Sequence, residues 1–129
     1  MNDTEWMEAF ETGALPNTSF HHAEHVKMAF LYLKKFAPIE ALSRFSSGLA
    51  RFATAHGKPD LYNETITWAF FLIIRERIAR ANFSQTWTEF SASNGDLLRW
   101  NDGILKKYYR PETLASALAK SVFLFPDKM

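Results

Sequence analysis

The sequence predicts an all-α protein, a single-domain helical bundle of about four main helices followed by short C-terminal helices. Three observations predict it. Apolar residues recur every three or four positions over long stretches, Gly13, Pro38 and Gly57 punctuate those stretches, and no Gly or Pro interrupts Leu61 to Ala81. At 129 residues the chain suits one hydrophobic core and is too short for two independent ones.

The first helix is expected to follow Asp3 or Thr4 as its cap, to carry Trp6, Met7 and Phe10 on one side and to stop at Gly13. Ala14 to Ser19 is a loop. A second helix runs from about His21 to Phe36, with Val26, Ala29, Phe30 and Leu33 at helical spacing. Ala37-Pro38 breaks it and opens the third, because Pro fits the first helical turn, where its missing donor costs nothing. That helix extends to His56 through Ile39, Leu42, Phe45, Leu49, Phe52 and Ala53. Gly57 then supplies a left-handed stop and Lys58-Pro59-Asp60 a turn. A connection this short between the second and third helices makes them antiparallel.

The fourth helix, about Leu61 to Ala81, is apolar nearly all round from Trp68 to Ile74, which marks a helix buried on several sides at the centre of the fold. Beyond Asn82 the elements shorten. Ser84 is expected to cap a helix through Trp87 and Phe90 that ends at Asn94-Gly95, and a short piece holds Leu97, Leu98 and Trp100. Asn101-Asp102-Gly103 turns into Ile104 to Tyr109, and Pro111 opens a last helix with Leu114, Leu118 and Val122.

Composition narrows the function classes. The chain is 47% hydrophobic and 16% aromatic, with 12 Phe and 4 Trp, so apolar surface is ample to offset the chain entropy lost on folding. Its 15 basic and 14 acidic side chains leave a formal charge of +1 with no concentrated basic field, which argues against a nucleic-acid partner. Lys34-Lys35 and Lys106-Lys107 read as solvated helix edges. The absence of Cys excludes disulfides, thiolate metal sites and a Cys nucleophile. The opening MNDTEWMEAFE lacks a secretory pattern and Ile66 to Ile74 is too short to span a bilayer, so the expectation is a cytoplasmic protein with no membrane partner.

The candidate chemistry is a small set of polar residues. His22 and His25 lie three apart, and His21 and His25 four apart, on the opening turn of the second helix, a spacing that puts either pair on one face where two imidazoles can share a metal. His56 ends the third helix and Glu64 stands about one turn into the fourth. Up-down packing brings these positions to one end of the bundle. Each has a plainer account. A surface or core-packed His explains His22 and His25, a His beside free helix carbonyls explains His56, and a carboxylate helped by the macrodipole explains Glu64. Arg75, Glu76, Arg77 and Arg80 read as a solvated, ion-paired helix end, whereas Trp100, Tyr108 and Tyr109 line a pocket only if they reach the bundle end. No phosphate-binding Gly-rich loop, GxSxG elbow, HExxH or ferritin-like Glu-x-x-His pattern is present.

The segments FHHAEHVKMAFLYL, FATAHGKPDLYNETITWAF and YYRPETLASALAKSVFLFPD resemble a family of small bacterial all-helical proteins of unassigned function, over about Phe20 to Asp127. The resemblance implies a site at His22, His25, His56 and Glu64, with Asn63 standing where relatives carry a His. Asn is a poor transition-metal ligand, so that departure favours a hydrogen-bonding pocket over a metal.

Two functions are therefore in view. One is a small-molecule- or metal-binding protein, enzymatic or not, with a pocket of His22, His25, His56, Asn63 and Glu64. In its metal form, His22, His25, His56 and Glu64 hold a divalent ion. The other is a non-catalytic interaction module, such as a homodimer whose aromatics cover a partner-facing surface.

Overall fold

The computed structural model describes residues 1–81, 84–100 and 103–128; it is 72% helical, with no strand among the described residues. The fold class is all-α, as the sequence predicts. Asn82, Asn101 and Asp102 lie outside the described residues.

Helix α1 spans Asp3–Thr12, and its cap falls one residue before the expected Asp3. Asn2 is the cap: its side-chain oxygen accepts the Glu5 N–H at 2.8 Å, and the Glu5 carboxylate accepts the Asn2 N–H at 3.3 Å. Gly13 closes the helix at φ 76°, a conformation that suits glycine. Helix α2 is His22–Lys35 and α3 is Pro38–Ala55, with Pro38 at the first helical turn and Gly57 at φ 71° just past the end.

Helix α4 is Glu64–Arg80, three residues shorter at its start than its apolar pattern suggests. Pro59–Leu61 coils instead into a single 3-10 turn, and the side-chain oxygen of Asn63 caps α4 by accepting the Ile66 N–H at 2.9 Å. Thr86, rather than Ser84, caps α5 (Trp87–Ser93), accepting the Glu89 N–H at 3.2 Å. Two 3-10 turns follow, Gly95–Leu98 and Ile104–Lys107. The last predicted helix is two, α6 (Pro111–Leu114) and α7 (Ala117–Ser121), because the Ser116 hydroxyl starts a second helix by accepting the Ala119 N–H at 3.1 Å.

Helix α4 packs against α2, α3, α7 and the Ile104–Lys107 turn, the central position that its composition predicts. It buries Ala69, Phe70, Phe71, Ile74 and Ile78, although Leu72 is left 43% exposed. The interior between α1, α2, α3 and α4 is largely aromatic. The ring of Phe10, 0% exposed, lies 5.5 Å from Phe20, 5.9 Å from Tyr32 and 6.0 Å from Phe45, which in turn lies 5.7 Å from Phe71. The Tyr32 hydroxyl reaches the edge of this cluster and donates to Glu11 at 2.8 Å, so no polar atom of that ring is left dry.

The C-terminal segment is tied to the start of α4. Asn63 donates to the Leu114 carbonyl at 2.8 Å. The fully buried Thr65 hydroxyl donates to the Val122 carbonyl at 2.8 Å and accepts the Leu124 N–H at 3.1 Å. At the other end of α4, Arg77 is no solvated cation. It grips Asp96 through two bonds of 2.7 Å and reaches Asn94 at 3.0 Å, anchoring the turn after α5 and holding the Asp96 carboxyl below the usual carboxylate range. Arg80 and Glu76 do form the exposed i,i+4 pair expected there, at 2.9 Å. Among the described residues, no helix is long and apolar enough to cross a membrane.

Gly48 sits where α3 meets α1, and a methyl group there would lie 2.3 Å from Cε2 and 2.5 Å from Cζ of Phe10. The buried Phe10 ring cannot yield, so overpacking outweighs the roughly 1 kcal/mol that Ala gains in helix propensity. Gly48→Ala is expected to lower unfolding free energy by up to about 2 kcal/mol in urea titrations, the overpacking cost less the propensity gain; an unchanged or raised midpoint would show that the α1–α3 contact is looser than the structure has it.

Candidate functional site

Helices α2, α3 and α4 do not close completely upon one another. Between them lies a cleft of about 560 Å³, bordered by His22 and His25 from the first turn of α2, Phe52 and His56 from the end of α3, and Asn63 and Ile66 from the start of α4. The predicted gathering of helix ends is therefore present for His22, His25, His56 and Asn63. Glu64 is the exception: it does not border the cleft, and its carboxylate accepts the hydroxyl proton of Tyr62. Residue 64 follows the capping Asn63 on a helix whose next apolar positions face inward, so its side chain points to a different side from Asn63 and Ile66.

The cleft walls are largely apolar and rich in aromatic rings, with Phe20, Phe45, Phe52, Phe70 and Phe71 among them. Polar atoms are few, and most are already committed. Asn63 spends its oxygen on the Ile66 N–H and its nitrogen on the Leu114 carbonyl, so the residue borders the cleft as part of the frame. Tyr62, which the sequence reading passed over, also lines the cleft, with its hydroxyl turned to Glu64. Burial first, and then the neighbouring carboxylate, push the Tyr62 phenol above its ordinary value, so it stays a neutral donor. A Tyr two residues before a helix-opening Glu is the signal that could have found it. Trp100 lines the cleft as considered, packing 5.3 Å from His22 and 6.3 Å from Phe70, whereas Tyr109 is buried elsewhere and donates to the Leu124 carbonyl at 2.7 Å.

Each of the three histidines is oriented by a backbone group. His22 Nε2–H donates to the Leu97 carbonyl at 2.9 Å, and His56 Nε2–H donates to the Leu15 carbonyl at 3.0 Å. His25 bonds the Phe20 backbone, and its Nε2 is shut off from water with no hydrogen-bond partner among the protein groups. Desolvation lowers the pKa of His22 and drives that of His25 down to about 4, with the neighbouring His22 adding to the effect. Both rings are thus neutral near pH 7.

The predicted metal set of His22, His25, His56 and Glu64 is not assembled. Glu64 faces Tyr62, and the rings of Phe20 and Phe52 stand between the other two ends: His25 lies 4.4 Å from Phe20, Phe20 lies 4.9 Å from Phe52, and Phe52 lies 4.4 Å from His56. Among the described residues, no three His, Asp or Glu side chains gather so as to hold a metal ion. The physical reason is steric, since an aromatic stack fills the space that coordination would need.

Compared with family models, with curated proteins and with solved structures, the chain matches none. The fold and the cleft together define an all-α protein with an apolar, imidazole-bordered pocket, and what it can do follows from that geometry.

The state of His25 has a consequence for stability. A histidine whose folded pKa lies near 4 takes up its proton more readily when unfolded, where its pKa is near 6.5, so unfolding is favoured as pH falls through that window. Stability should fall between pH 6.5 and 4 by up to roughly 3 kcal/mol from this group. His25→Phe, compared with wild type by denaturant titration across that range, should show a shallower decline; parallel curves would place the His25 ring in contact with water.

Proposed function

We propose that the protein binds a small, largely apolar molecule in the cleft between α2, α3 and α4. The observation that carries this reading is the cleft itself: about 560 Å³ with a wall in which apolar and aromatic side chains predominate, in a domain with ample means to close its core. Small-molecule sites have volumes of about 300–1,000 Å³, apolar walls and a few placed polar groups. Apolar surface facing water forfeits about 25 cal/mol for each Å² left unburied, so a ligand that covers Leu61 and Trp100, 71% and 55% exposed at the cleft, recovers free energy that the fold leaves unused.

The reading is one of binding first. Among the described residues, no carboxylate is hydrogen-bonded to a cleft histidine in the manner of an acid–base pair, and the lowered basicity of His22 and His25 makes either a weak proton acceptor at neutral pH. Lys58, Asp60 and Lys120 reach the rim, where they remain exposed to solvent and leave the interior without a formal charge.

Titration with naphthalene, followed by calorimetry or by ligand-observed NMR, tests the reading. Saturable one-to-one binding is expected, and Ala53→Phe, which places a ring into the cleft from α3, should weaken it at least about tenfold, the loss of about 1.4 kcal/mol. Ile39→Ser, at a position 84% exposed and away from the cleft, should leave affinity unchanged. Equal affinity in wild type and Ala53→Phe would sink the assignment.

A further inference from the structure

The polar groups of the cleft are unequal in kind. Its interior donors are spent: Asn63 donates to the Leu114 carbonyl, Tyr62 to Glu64, and the buried Thr67 hydroxyl is hydrogen-bonded with Tyr62. Its acceptors are not. A carbonyl can only accept, so the His22 nitrogen that meets Leu97 must carry the ring proton, which leaves Nδ1 of the neutral ring as a bare lone pair. The same reasoning applies to His25, whose bond to the Phe20 backbone leaves Nε2 as a lone pair with no protein partner. These two rings stand three apart on the first turn of α2, and both border the cleft. Around them the walls are flat rings, Phe20 against His25 at 4.4 Å and Phe70 against His22 at 4.9 Å.

We infer that the ligand is a planar aromatic molecule bearing a neutral hydrogen-bond donor, of the phenol or aryl N–H class, whose donor is read by the lone pairs of His22 and His25. The inference rests on the cleft being a ligand site and adds the chemical class that it selects. A buried acceptor left without a partner is costly, and a ligand that supplies the donor removes that cost, whereas one that lacks it does not. The Nε2 atom of His25 is covered by its neighbours, so the ligand reaches it with a side-chain adjustment of the kind common at binding sites. Among the described residues the interior carries no carboxylate, so a ligand cation would be buried there without a counter-ion. A ligand anion has no interior donor to meet.

Three probes of one shape separate the possibilities: naphthalene, 2-naphthol and 2-methoxynaphthalene, each titrated into the wild-type protein. The ether keeps the ring and the oxygen but cannot donate, and it is the more apolar of the two, so a site without acceptors would bind it at least as well as the phenol. We expect 2-naphthol to bind about tenfold or more tighter than 2-methoxynaphthalene, the gain of one hydrogen bond formed in an apolar site. In His25→Phe the preference should shrink to within about threefold, and His22→Phe should shrink it in part. Equal or tighter binding of the ether to wild type would overturn the donor assignment and leave the apolar cleft standing. Failure of all three probes to bind would overturn the cleft reading together with this one. The wild-type comparison needs no variant, so a folding defect in either substitution leaves the outcome decisive.

Discussion

The arrangement depends on how the polar first turn of α4 is satisfied. Asn63, Thr65 and Thr67 are all buried at the start of an otherwise apolar helix, and a buried hydroxyl or amide without a partner would cost several kcal/mol, on the order of 2–7 each. Asn63 meets Leu114, and Thr65 meets Val122 and Leu124, so the last part of the chain is fixed against α4 by hydrogen bonds that only that backbone supplies. These bonds set where α4 begins, and its starting point sets which side chains face the cleft. With Asn63 as the cap, Ile66, Phe70 and Ile74 fall on the cleft side and Glu64 falls off it.

From that constraint the cleft follows as a problem of filling space with large flat groups. The interior of α1 to α4 is built from Phe10, Phe20, Phe45, Phe52 and Phe71, whose rings meet edge to face, tilted or stacked. Rings of fixed shape pack densely in pairs but leave gaps where three helices meet, and the small residues Ala29 and Ala53 on the facing helices do not fill the one beside α4. Gly48 is the counterpart on the other side of α3, where the close approach of Phe10 leaves no room even for a methyl group. One face of α3 is therefore tight and the adjoining one open.

Much of this was legible in the sequence, and the reasons differ by feature. Helices α1 to α4 follow from apolar periodicity with Gly13, Pro38 and Gly57 as punctuation, because those signals depend only on local backbone preference. The start of α4 and the break between α6 and α7 were not, since a capping Asn63 or Ser116 competes with helix continuation on energies of about 1 kcal/mol that neighbours decide. The meeting of His22, His25, His56 and Asn63 around one cleft was legible from topology, because helix ends must gather wherever connections are short. Their separation by the Phe20 and Phe52 rings was not, because it depends on side-chain rotamers in a shared interior. Arg77 misled for a similar reason: charge periodicity marks a helix end but does not show that Asp96, on a later turn, will reach back to it.

The pairing of Glu64 with Tyr62 rather than with a histidine bears on the binding role proposed for the cleft. A carboxylate beside an imidazole stabilises the imidazolium and raises its basicity, which is what proton transfer near neutral pH requires. Here Glu64 is engaged by Tyr62, and backbone carbonyls, which orient a ring without supplying a full charge, take the place of the carboxylate beside His22 and His56. Desolvation is then the larger force on His22 and His25, and it lowers their basicity. An imidazole so placed is a poor base but a well-oriented acceptor, held in one tautomer and unprotonated at neutral pH. Such a group suits recognising a donor in an apolar pocket better than moving a proton, and that asymmetry supports the binding role proposed for the cleft.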